Sequence, residues 1–224
     1  PSEFAMSLAA IATREKWSNQ EIADLINAFY RKHQSSGKFE KPPSMKKATR
    51  IDYLARTIAK ARKSADFSNN ILECLSLNED GDARLFVQEN RNKFVYDHSE
   101  KCWYVYRGPY WEKDMLNESL EALNRIASLY ANEALRHEGK EAEALQKRAY
   151  ALGGHDRRAR VLKLAAAGKS GLGVTGEVWD RHPYLLPCIN GLVDLRTGAL
   201  FDGTPGLFIR NFCPTPYDPA AGDP

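Results

Sequence analysis

The sequence has no long hydrophobic run, since no uninterrupted apolar stretch exceeds five residues. A membrane-spanning helix needs about 20 such residues, so this class is excluded and we expect no membrane partner. Hydrophobic residues make up 43% of the chain and charged residues 27%, which also excludes a disordered or collagen-like protein. At 224 residues, one large domain or two small ones can bury a core.

Cysteine is scarce and shows no spacing pattern. The four cysteines are Cys74, Cys102, Cys188 and Cys213, and no C-x-x-C pair occurs. The sequence therefore predicts neither a disulfide framework nor a zinc ribbon. The five histidines are scattered, so we expect no metal site and no cofactor. A reducing compartment fits this cysteine usage, and we expect a cytoplasmic protein.

The two ends of the sequence differ in composition from the rest. Residues 1–6 contain Glu-Phe and Ala-Met pairs that common cloning sites encode, and we interpret them as a vector remnant. The twelve residues from Cys213 hold four prolines, which is typical of a linker. We expect a first domain at 7–77, a second at 82–218, and the start of a linker to an absent domain at 219–224.

Positive charge is concentrated in one segment. Residues 31–63 hold eleven Lys and Arg against two acidic residues, a balance of +9, whereas residues 71–224 hold 19 basic and 22 acidic residues, a balance of −3. A segment with this footprint commonly faces phosphate.

Helical periodicity explains how those charges are displayed. Ser18 and Glu21 have the spacing of a capping box before an amphipathic helix over about 17–30. A second helix is predicted over about 44–65, with further turns between 66 and 77. Its apolar stripe is Ile51, Leu54, Ile58, Ala61 and Ala65. On the opposite side the sequence places Tyr53, Arg56, Lys60 and Lys63.

A different pattern follows the polar stretch 78–81, which we take as the domain boundary. Asp82 is expected to cap a short helix through Asn90, with Leu85 and Phe86 inward. Aromatic and β-branched runs then predict a meander of strands over 94–111. Helices are predicted over about 115–135, 140–152 and 156–167, and short strands and turns after residue 185. The fold class is therefore mainly α with small β meanders, an α+β chain.

Several short motifs favour ordinary structural explanations. Gly168-Lys169-Ser170 lacks the glycine that a phosphate loop needs five residues earlier, so it is read as a helix stop. The G-x-G-x-x-G spacing from Gly171 follows no clear strand, which disfavours dinucleotide binding. The sequence also lacks a pair of acidic residues in a motif for nucleotidyl transfer. We therefore name no catalytic residue.

Two groups of residues could hold nucleic acid. The first is the aromatic group of the meander, for which a place in the core is favoured over base stacking. The second is the basic helix, for which we favour nucleic-acid contact over a merely solvated face. The candidate contacts are Lys46, Lys47, Arg50, Tyr53, Arg56, Lys60 and Lys63.

Three stretches of the second domain carry a resemblance. They are the Asn-Gly-x-x-Asp-Leu-Arg-Thr-Gly motif from Asn190 to Gly198, the preceding residues 179–186, and the closing Tyr217-Asp218-Pro219. Together with the meander they resemble the region just upstream of the superfamily 3 helicase domain in phage, plasmid and poxvirus-type primase-helicases. The resemblance covers about 82–219. Residues 17–18 and 53–58 are similar, over shorter patterns, to the small helix bundle that follows the primase domain in such proteins.

The resemblance implies a defined place in a replication protein. The family order is primase, helix bundle, pre-helicase domain and hexameric ATPase, and this chain matches the two middle parts. Walker motifs and primase carboxylates are missing, so neither activity is expected here, although the parent protein is expected to be a DNA primase and ATP-dependent helicase. The implied partners are single-stranded DNA, the adjacent primase and helicase domains, and further copies through the parent helicase ring.

Three functions remain open on the sequence. The first is a non-catalytic segment that binds single-stranded DNA template, with or without initiating nucleotide, and couples primase to helicase. The second is an oligomerisation collar with an incidental basic face. The third is a stand-alone nucleotide-using enzyme with an unrecognised site.

Overall fold

The computed structural model describes residues 3–14, 17–33 and 51–221. Helices and two small sheets make up these residues, which confirms the α+β class. Contacts divide the chain into two units, 1–72 and 73–224. That division lies ahead of the polar stretch 78–81, and the expected domain limits at 7–77 and 82–218 stay a prediction.

The first unit is helical in its described part. Helix α1 spans Glu3–Arg14, α2 spans Asn19–His33, and α3 spans Ile51–Ser76. The predicted capping box is confirmed before α2, because the backbone N–H of Ser18 donates to Glu21 Oε2 at 2.7 Å and that of Glu21 donates to Ser18 Oγ at 3.3 Å. Helix α3 also confirms the further turns predicted between 66 and 77.

The core of this unit is built from one stripe of each helix. Its buried members are Ala5, Ala9, Ala12, Ile22, Ile26, Tyr30, Tyr53, Leu54, Ile58 and Ala61. Alanine takes up little volume, so α1 packs closely against its neighbours. Part of the segment interpreted as a vector remnant is thus helical, with Ala5 in the core, and its origin stays an interpretation.

The second unit begins in the last turn of α3 and continues with helix α4, Asn78–Asn90, and a four-stranded sheet. The strands are β1 Phe94–Asp97, β2 Cys102–Tyr106, β3 Trp111–Lys113 and β4 Gly173–Val174. Their order is β3-β2-β1-β4, antiparallel except for the β1–β4 pair. The predicted meander is confirmed, and the fourth strand comes from a distant part of the chain.

The prediction that Asp82 caps a helix is wrong. Helix α4 begins at Asn78, and Asp82 lies inside it, fully buried. Arg148 Nη1 donates to Asp82 Oδ1 at 2.9 Å, and Arg157 Nη2 donates to Oδ2 at 2.6 Å. Arg148 also donates to the carbonyls of Leu75 and Asn78. Two guanidinium groups therefore compensate a carboxylate that the sequence placed at a helix end.

Four helices follow the meander. They are α5 Glu118–Glu121, α6 Leu123–Ala134, α7 Gly139–Ala151 and α8 His155–Ala165. The single helix predicted over 115–135 is thus divided at Ala122, and it starts later because the Asp114 carboxylate accepts from the backbone N–H groups of Glu118 and Ser119. The two helices predicted after it are confirmed.

A three-stranded antiparallel sheet follows. Its strands are β5 Leu185–Cys188, β6 Gly191–Asp194 and β7 Ala199–Phe201, in that order. They confirm the short strands predicted after residue 185. The apolar run at 207–209 behaves differently, since Pro205–Leu207 form a 3-10 turn and Phe208 has a φ of 49°.

Candidate nucleic-acid interface

Helix α3 carries two parallel stripes with opposite character. Leu54, Ile58 and Ala61 are buried at the spacing i, i+4, i+7. The same spacing, shifted by two residues, describes three exposed basic residues: Arg56, Lys60 and Lys63. Two residues correspond to about 200° around a helix, so the basic stripe faces away from the core.

The electrostatic setting of this basic stripe favours an anionic ligand. The sequence has no acidic residue between Tyr53 and Ser64. Within the described part of the chain, Lys60 and Lys63 form no ion pair. Lysines displayed in this way can neutralise phosphates of a nucleic acid, which then releases its own counterions.

Tyr53 does not lie on the basic stripe. It is 8% exposed and belongs to the core of the first unit. The reason is angular, because Tyr53 lies about 100° from Leu54, next to Thr57, which is fully buried and donates its hydroxyl to the Tyr53 carbonyl at 2.8 Å. The expected placement of Tyr53 on the side opposite the apolar stripe is therefore wrong, and this burial disfavours it as a nucleic-acid contact. The other candidates, Lys46, Lys47 and Arg50, lie outside the described residues.

A groove of about 640 Å³ runs between α2 and α3. Arg62 crosses its rim, donating from Nε to Asn19 Oδ1 at 2.7 Å and from Nη2 to the Trp17 carbonyl at 2.8 Å. Asn27 Oδ1 is buried there and has no hydrogen-bond partner among the described residues. The groove thus combines amide groups with the apolar side chains of α3.

Sequence reasoning missed this groove. The signal that could have found it is the i, i+4, i+8 spacing of Asn19, Ala23 and Asn27, which places two amides around a small residue on one face of α2. Such a face leaves space against a neighbouring helix.

The aromatic residues of the meander have packing partners within the second unit. Tyr104 and Trp111 are buried with Val95 and Trp179 on one face of the four-stranded sheet, and Tyr106 packs against them. On the other face the Trp103 ring lies 5.3 Å from that of Tyr96 and 6.0 Å from that of Phe86. Tyr110 stacks on Phe212 at 4.0 Å. The geometry agrees with the favoured interpretation, a core.

Charged groups hold the loop beside this aromatic core. The Asp97 carboxylate is buried and accepts from Trp179 Nε1 and from the backbone N–H of Ser99, each at 2.7 Å. Burial opposes ionisation, but the hydrogen bond from Trp179 and those from the backbone outweigh it and lower the pKa of Asp97. Burial, followed by the hydrogen bond to Glu100, raises the pKa of Tyr104 to about 12.

The motif from Asn190 to Gly198 forms a turn and holds the chain at Tyr217 by hydrogen bonds. The Asp194 carboxylate accepts from Arg196 Nε at 3.0 Å and Nη2 at 2.8 Å, and these bonds lower its pKa to about 2. The Asn190 side chain forms two hydrogen bonds with the backbone of Tyr217. Its Nδ2 donates to the Tyr217 carbonyl and its Oδ1 accepts from the Tyr217 N–H, both at 2.8 Å. The geometry therefore gives a structural role to the residues of the resemblance.

The glycines after α8 also have structural reasons. Gly168 has a φ of 73°, as a helix stop requires. A Cβ on Gly171 would lie 2.3 Å from the Ala167 carbonyl oxygen, and one on Gly173 would lie 2.1 Å from that of Ala166. Helix-end carbonyls rather than N–H groups surround this segment, so it lacks the donors that cradle a phosphate.

Comparison with known families decides where the second unit belongs. The family described as D5 N terminal like matches residues 83–224, more than half of the chain. The chain belongs to the D5 N terminal like family. In phage and viral primase-helicases the D5 N terminal like domain lies before the helicase domain. The match begins close to residue 82, where the sequence placed the start of its second domain. No curated protein matches the chain.

Two further features are absent from the described part of the chain, a membrane-spanning helix and a cluster of metal ligands. No helix within 3–14, 17–33 and 51–221 combines the length and apolar character that crossing a bilayer requires. In those ranges no three His, Cys, Asp or Glu side chains converge in a way that could hold a metal ion.

Proposed function

We propose that this chain is a non-catalytic segment of a replicative primase-helicase that binds single-stranded DNA template and couples the primase to the hexameric helicase. The observation that carries the proposal is the basic stripe of Arg56, Lys60 and Lys63, displayed opposite the buried stripe of α3. Membership of the D5 N terminal like family supports the replication context.

The stripe suits a template that has no fixed shape. Its three residues extend over about 10 Å of helix, at 1.5 Å per residue, so they can follow several phosphates of a flexible strand. Lysine and arginine on phosphate carry no base information. A primase must hold any sequence before a primer duplex exists, and a stripe of this kind supplies affinity without choice of sequence.

The groove beside the stripe is a place for the initiating nucleotide. Arg62 and the amides of Asn19 and Gln20 lie at its edge, and Leu54 and Ile58 line its wall. The buried Asn27 Oδ1 offers an acceptor to an exocyclic amino group. In this proposal the template follows the exposed face of α3, and the nucleotide occupies the space between α2 and α3.

A second candidate is a collar that assembles copies without contacting DNA. The observation in its favour is a set of exposed apolar side chains on the second unit. Tyr184 is 55% exposed, and Ile189 and Leu195 are each 57% exposed. Apolar surface of this kind is common at protein contacts.

Binding to labelled single-stranded DNA across a salt series separates the two candidates. Three phosphate contacts give a slope of log affinity against log salt of about −2, at roughly 0.7 per phosphate on a single strand. Replacing Arg56, Lys60 and Lys63 together by Glu should abolish binding, while the buried stripe keeps the fold. Circular dichroism and thermal melting check that the variant is folded.

The matched control reverses three exposed charges elsewhere. Lys140, Lys147 and Lys163 are exposed lysines of the second unit, so their change to Glu alters the net charge equally. This control should keep most of the affinity. If the α3 variant is folded and its affinity and salt slope equal those of the unchanged protein, DNA binding by α3 is excluded and the collar takes its place.

A further inference from the structure

Two cysteines of the second unit lie side by side. Cys188 ends β5, and Cys213 pairs with it in an isolated parallel β-bridge. The backbone N–H of Cys213 donates to the carbonyl of Pro187 at 2.8 Å, which fixes this register. Paired strands lie about 4.8 Å apart, and a disulfide spans a Cα separation of roughly 4.4–6.8 Å. Residues paired in a β-bridge also point their side chains to the same face of the sheet. The separation and the side-chain direction of Cys188 and Cys213 therefore both suit a disulfide bond.

The two thiols differ in accessibility. Both are free cysteines, Cys188 is 3% exposed, and Cys213 is partly exposed. Burial, and then the neighbouring Cys213, raise the pKa of the Cys188 thiol. Reactivity depends on the thiolate and on access, so Cys213 is the thiol that reacts first and Cys188 is the one that follows.

We propose that Cys188 and Cys213 form a redox-sensitive pair that a small disulfide such as oxidised glutathione converts into an intramolecular bond. The Cys213 thiolate attacks one sulfur of the oxidant, breaking its S–S bond and releasing one thiolate, which takes up the proton lost by Cys213. Cys188 then loses its proton and attacks Sγ of Cys213, releasing the second thiol. Two protein thiols are oxidised and one oxidant disulfide is reduced to two thiols.

The bond acts as a strap across the three-stranded sheet. It closes a loop that contains β6 and β7 and attaches the segment after residue 209 to β5. The same segment is already held at Tyr217 by Asn190. A covalent closure restricts the unfolded chain, so oxidation stabilises the second unit and slows the opening of residues 211–218.

The test uses the full chain in glutathione buffers of increasing oxidised fraction. Peptide mapping by mass spectrometry should find Cys188 linked to Cys213, with the mass of two hydrogen atoms lost, and Cys74 and Cys102 still reduced. The melting midpoint of the second unit should rise by about 10 °C, which is of the order expected from closing a loop of this length. Hydrogen exchange of residues 211–218 should slow. Dithiothreitol should reverse all three changes.

The controls are Cys213→Ser and Cys213→Ala. Serine replaces the thiol by a more polar group and alanine by a less polar one, so an effect shared by both variants comes from loss of the thiol. In either folded variant, oxidised glutathione should form no intramolecular bond and should leave the melting midpoint unshifted. Three results would overturn the proposal: a glutathione adduct on Cys213 that persists in the unchanged protein, no reaction of the folded chain, or a linked pair with an unchanged or lower midpoint.

Discussion

The indole Nε1 of Trp179 donates a hydrogen bond of 2.7 Å to the buried carboxylate of Asp97, a residue 82 positions earlier in the chain. Asp97 ends β1, and the same carboxylate accepts from the backbone N–H groups of Ser99 and Glu100. One buried charge therefore organises both the turn after β1 and the loop that carries Trp179. The Trp179 ring in turn packs on Tyr104 and Trp111 in the aromatic core.

Stability at acid pH should depend on Asp97. Its pKa is lower in the folded state than in the unfolded chain, so its contribution is complete above the unfolded value of about 4 and is lost as the pH falls through the folded value. Asp97→Asn should make the free energy of unfolding less dependent on pH below about 4. Urea unfolding between neutral and acid pH measures this. Asp202→Asn, at an exposed position, should keep the pH dependence of the unchanged protein.

The buried Asp82 should be among the most sensitive positions of the second unit. Asp82→Ala leaves the guanidinium groups of Arg148 and Arg157 without their carboxylate, and both are mostly shielded from solvent. Removing one partner of a buried ion pair costs about 3–5 kcal/mol. Denaturant unfolding should show a loss of this size, against less than about 0.5 kcal/mol for the exposed Asp80→Ala. Equal losses in the two variants would contradict the role of the cluster.

A side chain at Gly198 should destabilise the second unit. Its φ is 69°, and a Cβ there would lie 3.0 Å from the Tyr217 hydroxyl. Gly198→Ala should lower the free energy of unfolding by about 1–2 kcal/mol, the cost of a left-handed conformation for an L-residue. Gly206 has nothing within 4 Å of its Cβ position, so Gly206→Ala should cost less than Gly198→Ala. Chemical denaturation of the two variants in parallel gives the comparison.

A single neutral substitution should reduce the salt dependence of DNA binding by a defined step. Lys60→Gln removes one charge of the basic stripe without reversing it, so the slope of log affinity against log salt should decrease by roughly 0.7. Lys147→Gln, on the exposed surface of α7, should leave the slope unchanged. Fluorescence anisotropy over a range of salt concentrations resolves the difference. Identical slopes in all three proteins would place the contact elsewhere.

The segment around Lys169 should have no role in nucleotide hydrolysis. Gly168-Lys169-Ser170 follows the C-terminal end of α8, where carbonyl groups predominate. We expect no turnover of ATP by this chain and no effect of Lys169→Ala. A phosphate-release assay tests both statements. Turnover that Lys169→Ala abolished would favour the stand-alone enzyme.

Local patterns in the sequence were sufficient wherever a short range of residues sets the structure. The capping box of Ser18 and Glu21 is such a case, because both hydrogen bonds close within one helical turn. The buried stripe of Leu54, Ile58 and Ala61 is another, because periodicity alone places it on one side of α3. The exposed basic stripe follows from the same periodicity.

Only the tertiary structure decided the burial and pairing of residues whose partners are distant in the chain. Aspartate is a common helix cap, but Asp82 lies buried inside a helix. It is paired there with Arg148 and Arg157, which lie 66 and 75 positions later in the chain. Tyr53 lies at the edge of an apolar stripe, and packing in the three-helix core determined that it is buried. The sequence by itself determined the fold class and the basic stripe of α3, since periodicity and capping act locally, whereas the buried ion cluster, the groove and the cysteine pair required the energies of contacts between remote segments.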